Sequence, residues 1–300
     1  MDPTEGSRWR LEIGREVASN YLDRMDATAA LVCGSVSRGC ADRWSDIEIL
    51  VIAAADLEVK EQGALVAAIS PDSRSGALDD QGSWWADHFV GRAAEDAPNT
   101  GVLVEAIVLS ASALESHLTD VVERHDTDLD KQSLVHAILN GVTVHGDHAV
   151  ASLRARAARY PDGLAEAMVR TYGPIDGFDD WRRAMERGGN ALWAREILVG
   201  AERRLLLMLQ ALNRRYTYKL KWLDAVLEEL SIAPANLRDR LDVVHGGSIE
   251  SGAEALRSLI EDTYDLIGAH MPDIPVGRLR EIFRWQRTPW DAPPPLRTPK

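Results

Sequence analysis

Short apolar runs that read as strands alternate with helical segments over the first 110 residues, whereas the segments that stand out after about residue 150 carry helical spacing. That switch limits the fold more than any other feature of the sequence. It predicts an α/β N-terminal domain, a small mixed sheet flanked by helices, followed by an all-α C-terminal helical bundle. In the first half, residues 5–24 read as a helix with Leu11, Val17 and Tyr21 among its apolar positions. Strands are expected at Ala29–Cys33, Asp46–Ala53, Trp84–Val90 and Val102–Ser110, and helices at Leu57–Ile69 and Ala111–Arg124. The stretches 71–83 and 92–101 read as loops. In the second half, residues 147–159, 163–171, 190–213, 219–230 and 250–268 read as helices, punctuated by Pro161, Pro174, Pro234 and Pro272. The expected division is 1–146 and 147–300, with a Pro-rich extended tail over 288–300.

The chain has 300 residues, 45% of them hydrophobic, which is enough for two domains with cores of their own. No run of 18 apolar residues suggests a membrane span, and the polar opening "MDPTEGSRWR" has no signal-peptide core. Cys33 and Cys40 lack metal-type spacing and read as small buried residues of a reduced, cytoplasmic protein. The net charge of −13 argues against general nucleic-acid binding. That charge is uneven: residues 1–150 hold 11 basic and 26 acidic side chains, whereas residues 151–300 hold 23 and 21. An acidic half suits metal ions or a cationic substrate, and a mildly basic half suits an anionic ligand.

The chemistry concentrates in "LVCGSVSRGCADRWSDIEILVI", residues 31–52. Side chains alternate along a strand, so Asp46 and Glu48 share one face while Ile47, Ile49 and Val51 point to a core on the other. Adjacent carboxylates repel and favour a cation between them, and Mg²⁺ is a hard cation that takes oxygen ligands. Gly34 and Ser35 follow a strand and open a short helix, where free backbone N–H groups favour an anion. Gly34 lets the backbone approach closely, and the Ser35 hydroxyl can donate to a phosphate oxygen. A further carboxylate, Glu105 in "VLVEAIVLS", sits mid-strand beside Leu103 and Ile107, where an unpaired charge would be costly. Asp87 is the second choice for that position.

"GSVSRG" followed by "SDIEILV" resembles the signature of the nucleotidyltransferase superfamily, whose fold is like that of DNA polymerase beta. The resemblance implies that Asp46, Glu48 and Glu105 hold two Mg²⁺ ions. It implies that Gly34 and Ser35 cradle the phosphates of an NTP, ATP being the first choice, with Arg38 supporting the loop or a phosphate. The implied reaction transfers a nucleoside monophosphate to a hydroxyl. A nucleotidyltransferase domain followed by a helical bundle also resembles enzymes of the kanamycin nucleotidyltransferase type, which implies a small-molecule hydroxyl acceptor, an antibiotic such as an aminoglycoside among the candidates, with a carboxylate as general base. Glu196 and Glu202 are candidates for that base, each weighed against a plain surface role. Two alternatives stay open: transfer of AMP to a protein partner such as a toxin, and nucleotide binding without turnover.

Other features of the sequence each admit a simpler explanation beside a functional one. "ALNRRYTYKLKWL" (211–223) gathers Arg214, Arg215, Lys219 and Lys221 with two tyrosines. Lys221 is the first choice there for a phosphate contact and Tyr218 for lining the base or substrate, against a solvated interhelical turn. Arg240 and His245 in "RLDVVH" are spaced as in the Arg-x4-6-His motif that HEPN ribonucleases carry, though a helix-surface Arg and a helix-end His explain them more simply. Trp84, Trp85 and His88 lie between the acidic strands, where packing aromatics are commoner than base-stacking ones.

Overall fold

The computed structural model describes residues 2–56, 58–70, 73–78, 83–91, 101–217 and 220–287. They form two compact units. The first runs to Pro161 and includes the segment around Tyr216, and the second holds the remaining described residues.

In the first unit the elements follow as α1 (Glu5–Leu22), β1 (Ala27–Val32), α2 (Gly34–Ser37), β2 (Ile47–Ala53), α3 (Val59–Ile69), β3 (Arg74–Ala77), β4 (Trp84–Val90) and β5 (Val102–Ser110). They continue as α4 (Ala111–Val122), α5 (Leu129–Asn140), β6 (Val142–His145) and α6 (Asp147–Ala157). The strands make one sheet in the order β3-β4-β5-β2-β1-β6. Only β2 and β5 pair in parallel, so the sheet is mixed as expected. The strands expected at Trp84–Val90 and Val102–Ser110 form over those same residues.

β2 is apolar on both faces past its first residues because both faces are covered. Ile47, Ile49 and Val51 join Val17 and Tyr21 of α1 and Leu65 and Val66 of α3 in one core. Leu50 and Ile52 face the other way, packing with Leu109 of β5, Leu114 of α4, Ile138 of α5 and Val150 of α6. Glu48 lies on this second face by alternation. The three helices cover the face where it is apolar, which leaves the acidic positions at the strand beginnings beyond their cluster.

The first unit extends past the 146/147 division because α6 inserts Val150 into this second core. The segment around Tyr216 joins it through its side chains. The Tyr216 hydroxyl donates to the Ala157 carbonyl at 3.2 Å, and its ring lies 4.7 Å from that of Tyr160. Three short elements, β3, α5 and β6, fall where loops or nothing regular was expected. Residues 71–72, 79–82 and 92–100, and the tail 288–300, lie outside the described residues.

His88 is a structural residue. It is 1% exposed, with Tyr21 Oη 2.6 Å from its Nε2 and Ser73 Oγ 2.6 Å from its Nδ1. Burial lowers its pKa to about 4. The unfolded chain, with an imidazole near 6.5, therefore binds an extra proton between those values. Stability contributed by the neutral ring is present above pH 6.5 and is lost as pH falls toward 4, by up to about 3 kcal/mol. Urea unfolding across that window should show stability rising with pH, and His88→Gln should flatten the rise. An unaltered slope in the variant would assign the effect to other groups. Trp84, beside Tyr21, is likewise buried core, with ring centroids 6.2 Å apart.

The second unit contains α7 (Asp162–Tyr172), α8 (Asp180–Glu186), α9 (Ala191–Leu212), a 3-10 turn (Leu220–Trp222), α10 (Leu223–Glu228), α11 (Leu237–Gly246), α12 (Ile249–His270) and α13 (Val276–Phe283). α12 is its central helix, burying Ala253, Leu256, Leu259, Ile260, Thr263, Tyr264 and Ile267 at helical spacing. Phe283 packs 5.0 Å from Phe178 and edge-on to Tyr264, whose hydroxyl donates to the Gly173 carbonyl at 2.8 Å. The segment expected as one helix over 219–230 divides into the 3-10 turn and α10. No described helix is long and apolar enough to cross a membrane.

Candidate active site

β2 and β5 run parallel in a register that sets Glu48 directly opposite Glu105. Paired residues project to the same face. Asp46 stands two positions before Glu48, just ahead of β2, and continues the row. Each of the three half-buried carboxylates offers an oxygen, and those oxygens all lie within 4.8 Å of one another. The structure thus brings Asp46, Glu48 and Glu105 together as expected. Asp87, the second choice, lies opposite Glu105 on β4, but its carboxylate is held by Arg74 at 3.1 Å and is not in the cluster.

Gly34 follows β1 and adopts φ +65°, in the left-handed region. A Cβ at this position would overlap Oε2 of Glu48. The expectation that Gly34 serves close approach is thus met by a protein group: its missing side chain makes room for a carboxylate of the cluster. The backbone ties the same two segments, with the Cys33 N–H donating to the Glu48 carbonyl at 2.7 Å. Ser35 is 4% exposed, and its Oγ has no hydrogen-bond partner among the described residues. α2 is a single turn, too short for a substantial helix dipole, so any anion here depends on individual N–H groups and the Ser35 hydroxyl. Half-buried Arg38 ends that turn, its backbone N–H reaching the Gly34 carbonyl at 3.4 Å.

The segment leading into Asp46 is braced in ways the sequence did not signal. Asp42 Oδ1 accepts from the Trp44 N–H and the Ser45 hydroxyl, each at 2.9 Å. Those bonds, the hydroxyl's first, hold the Asp42 carboxyl below its ordinary range. Arg10 reaches over from α1 and donates through Nε to the Ser45 carbonyl at 2.9 Å. Burial lowers the pKa of its guanidinium, and the charges of Asp42 and Asp46 oppose that shift. Cys33 is inert: burial, followed by the charge of Glu48, pushes its thiol up to about 12.

The remaining candidates belong to the second unit or lie outside the described residues. Lys221 is exposed on the 3-10 turn. Tyr218 and Lys219 are outside the described residues. Arg214 pairs with Asp162 at 2.9 Å and Arg215 with Glu229 at 3.8 Å, as a solvated turn would have it. Glu202 is buried with its Oε1 2.7 Å from His245 Nε2, while Glu196 is exposed on α9. Arg240 donates to Asp262 at 2.7 Å. The two members of the Arg-x4-His spacing are thus each held by a different carboxylate.

No protein-family model matches the chain, and no curated protein matches it. Among solved structures it is similar to a nucleotidyltransferase-like protein from Exiguobacterium sibiricum 255-15, at 12% identity and a TM-score of 0.40, over 92% of this chain and 80% of that one. The acidic cluster and its glycine, rather than this likeness, characterise the site: three carboxylates gathered on a mixed sheet, compatible with a divalent cation.

Proposed function

We propose that the chain is a nucleotidyltransferase that moves a nucleoside monophosphate, AMP from ATP, onto a hydroxyl of a small molecule. One observation carries this proposal: three carboxylate oxygens from adjoining strands lie within 4.8 Å, with a left-handed glycine packed against one of them. Such a cluster of like charges is relieved by a cation. The donor set is all oxygen, which fits Mg²⁺ and excludes the softer ligands that zinc prefers. Two ions shared by Asp46, Glu48 and Glu105 would neutralise triphosphate charge and polarise the reacting oxygens.

The chain's own groups supply the positioning. The buried Ser35 hydroxyl, without a hydrogen-bond partner among the described residues, is available to a phosphate oxygen, and Arg38 is a second phosphate contact. In the reaction the acceptor oxygen bonds to the α-phosphorus, its hydroxyl proton passing to water or a nearby carboxylate, as the bond from that phosphorus to the α–β bridging oxygen breaks and pyrophosphate leaves. The braced loop 42–45 and the in-register β2–β5 pair hold Asp46, Glu48 and Glu105 without rearrangement, which is what catalysis by preorganisation requires.

Incubation with α-labelled ATP, Mg²⁺ and a panel of hydroxyl-bearing small molecules tests this. Pyrophosphate release with the label on a small product is the expected outcome. Label on a polypeptide would move the acceptor to a protein. ATP binding with no pyrophosphate across the panel would replace turnover by regulation.

A further inference from the structure

The sheet face that carries Glu48 and Glu105 continues past them onto β4. Strand alternation puts Leu103 and Ile107 on the same face as Glu105. The β4–β5 register sets Phe89 opposite Leu103 and Trp85 opposite Ile107. Apolar side chains therefore flank Glu105 on its own face, and none of these four belongs to either core of the first unit. Ile107 is 40% exposed, and Leu103, Trp85 and Phe89 are half-buried. β5 has a strand on each side, so Ile107 is open to solvent in the middle of the sheet and not at its rim. Leaving it uncovered forgoes much of the roughly 1.5–3 kcal/mol that burying such a side chain gives.

Trp85 gives this surface its shape. Gly76 pairs with it on β3, and a Cβ at Gly76 would come 2.9 Å from the indole Nε1. The missing side chain lets the indole lean across β3. The charges between the two aromatics are matched: Asp87, opposite Glu105, is paired with Arg74 at 3.1 Å. Beyond the carboxylate cluster the face is thus apolar and without surplus charge.

Position decides what such a face would hold. Gly34 follows β1, Glu48 stands on β2, Glu105 on β5 and Trp85 on β4, and these strands are neighbours in that order. The apolar row therefore begins on the side of the carboxylates away from the Gly34–Ser35 turn. Ile107 lies about 7 Å along β5 from Glu105, and Trp85 is one strand further out. In phosphoryl transfer the attacking and leaving oxygens lie roughly in line. With pyrophosphate on the Gly34–Ser35 side, the attacking hydroxyl comes from the β4 side.

We propose that Ile107 and Trp85, with Leu103 and Phe89 beside them, form the acceptor surface, and that the acceptor is an uncharged alcohol with an apolar ring body rather than a polycation. The ring lies on Ile107 and the indole, and the hydroxyl points back toward Glu105. This inference rests on the transferase reading and names the acceptor class for it.

The test uses the full chain with Mg²⁺, ATP and three acceptors: 2-naphthaleneethanol, ring-free glycerol and polycationic kanamycin. Pyrophosphate release should have the highest kcat/KM with 2-naphthaleneethanol. Ile107→Gln, at an exposed position, should keep the melting temperature and raise the KM for that alcohol about tenfold, with the KM for ATP unchanged. A second arm needs no turnover. In the chain labelled with 5-fluorotryptophan, 2-naphthaleneethanol should saturably shift the ¹⁹F signal that Trp85→Phe removes, and glycerol should not. Glycerol or kanamycin serving as well as the aromatic alcohol overturns the proposal, as does an unaltered acceptor KM in Ile107→Gln. A rise in the KM for ATP instead gives the surface to the nucleobase, and a dimer that sedimentation finds in the parent but not in the variant gives it to a second copy; either result overturns the proposal. Absence of pyrophosphate with every acceptor is failure of the transferase reading. The ¹⁹F arm then decides the surface alone: a saturable shift keeps it as a site for apolar alcohols, and no shift removes it.

Discussion

Asp46→Asn should reduce pyrophosphate release from ATP by about 10³-fold or more while the folded state survives. The carboxylate is half-buried, precedes β2 and belongs to neither apolar core. Asparagine keeps its shape and removes its charge, and with it the anionic oxygen that a hard cation prefers. Loss of one of three clustered charges also relieves repulsion, so thermal stability without metal should hold or rise slightly. Turnover and unfolding measured on the same preparation separate the two effects. Unchanged turnover would refute the role given to this carboxylate, whereas a large fall in melting temperature would reveal an unanticipated structural role.

Gly34→Ala carries the second large effect, by a different physical route. Alanine at φ +65° costs about 1–2 kcal/mol in backbone strain. Its Cβ would also overlap the Glu48 carboxylate, which has to turn aside. The strain should lower the melting temperature by roughly 2–8 °C. Displacing one carboxylate of a preorganised cluster by an ångström should cost about 10²-fold in turnover, far more than the stability loss explains. Circular dichroism and pyrophosphate release, both read well below the transition, distinguish these. A variant that loses stability but keeps full turnover would show that Glu48 tolerates a second position.

Much of this site could be read from the order of residue types. Asp46 and Glu48, one residue apart at the start of an apolar run, required a shared face by strand alternation alone. Glu105 was legible because a charge amid "VLVEAIVLS" needs a partner. What alternation does not encode is register, and the pairing of Glu48 with Glu105 depends on how β2 and β5 align across a long connection. The role of Gly34 was legible only in kind: a close approach was expected, and its partner is Glu48.

The missed elements share physical causes. β6 is four residues on a sheet edge, and α5 buries Gln132 alongside Val135 and Ile138, which blurs its apolar stripe. α8, α11 and α13 are short helices of seven to ten residues, and their stability comes from packing that no local pattern reveals. The Arg10 brace joins residues 35 positions apart and left no trace in local sequence.

The acid-bearing strands β5 and β2 occupy the two middle places of the six-strand order, each flanked on both sides. Peripheral strands and their turns can therefore be lengthened, shortened or rewritten over evolutionary time while the central pair stays in alignment. Such an architecture keeps the alignment of the carboxylate pair independent of what happens at the margins of the sheet.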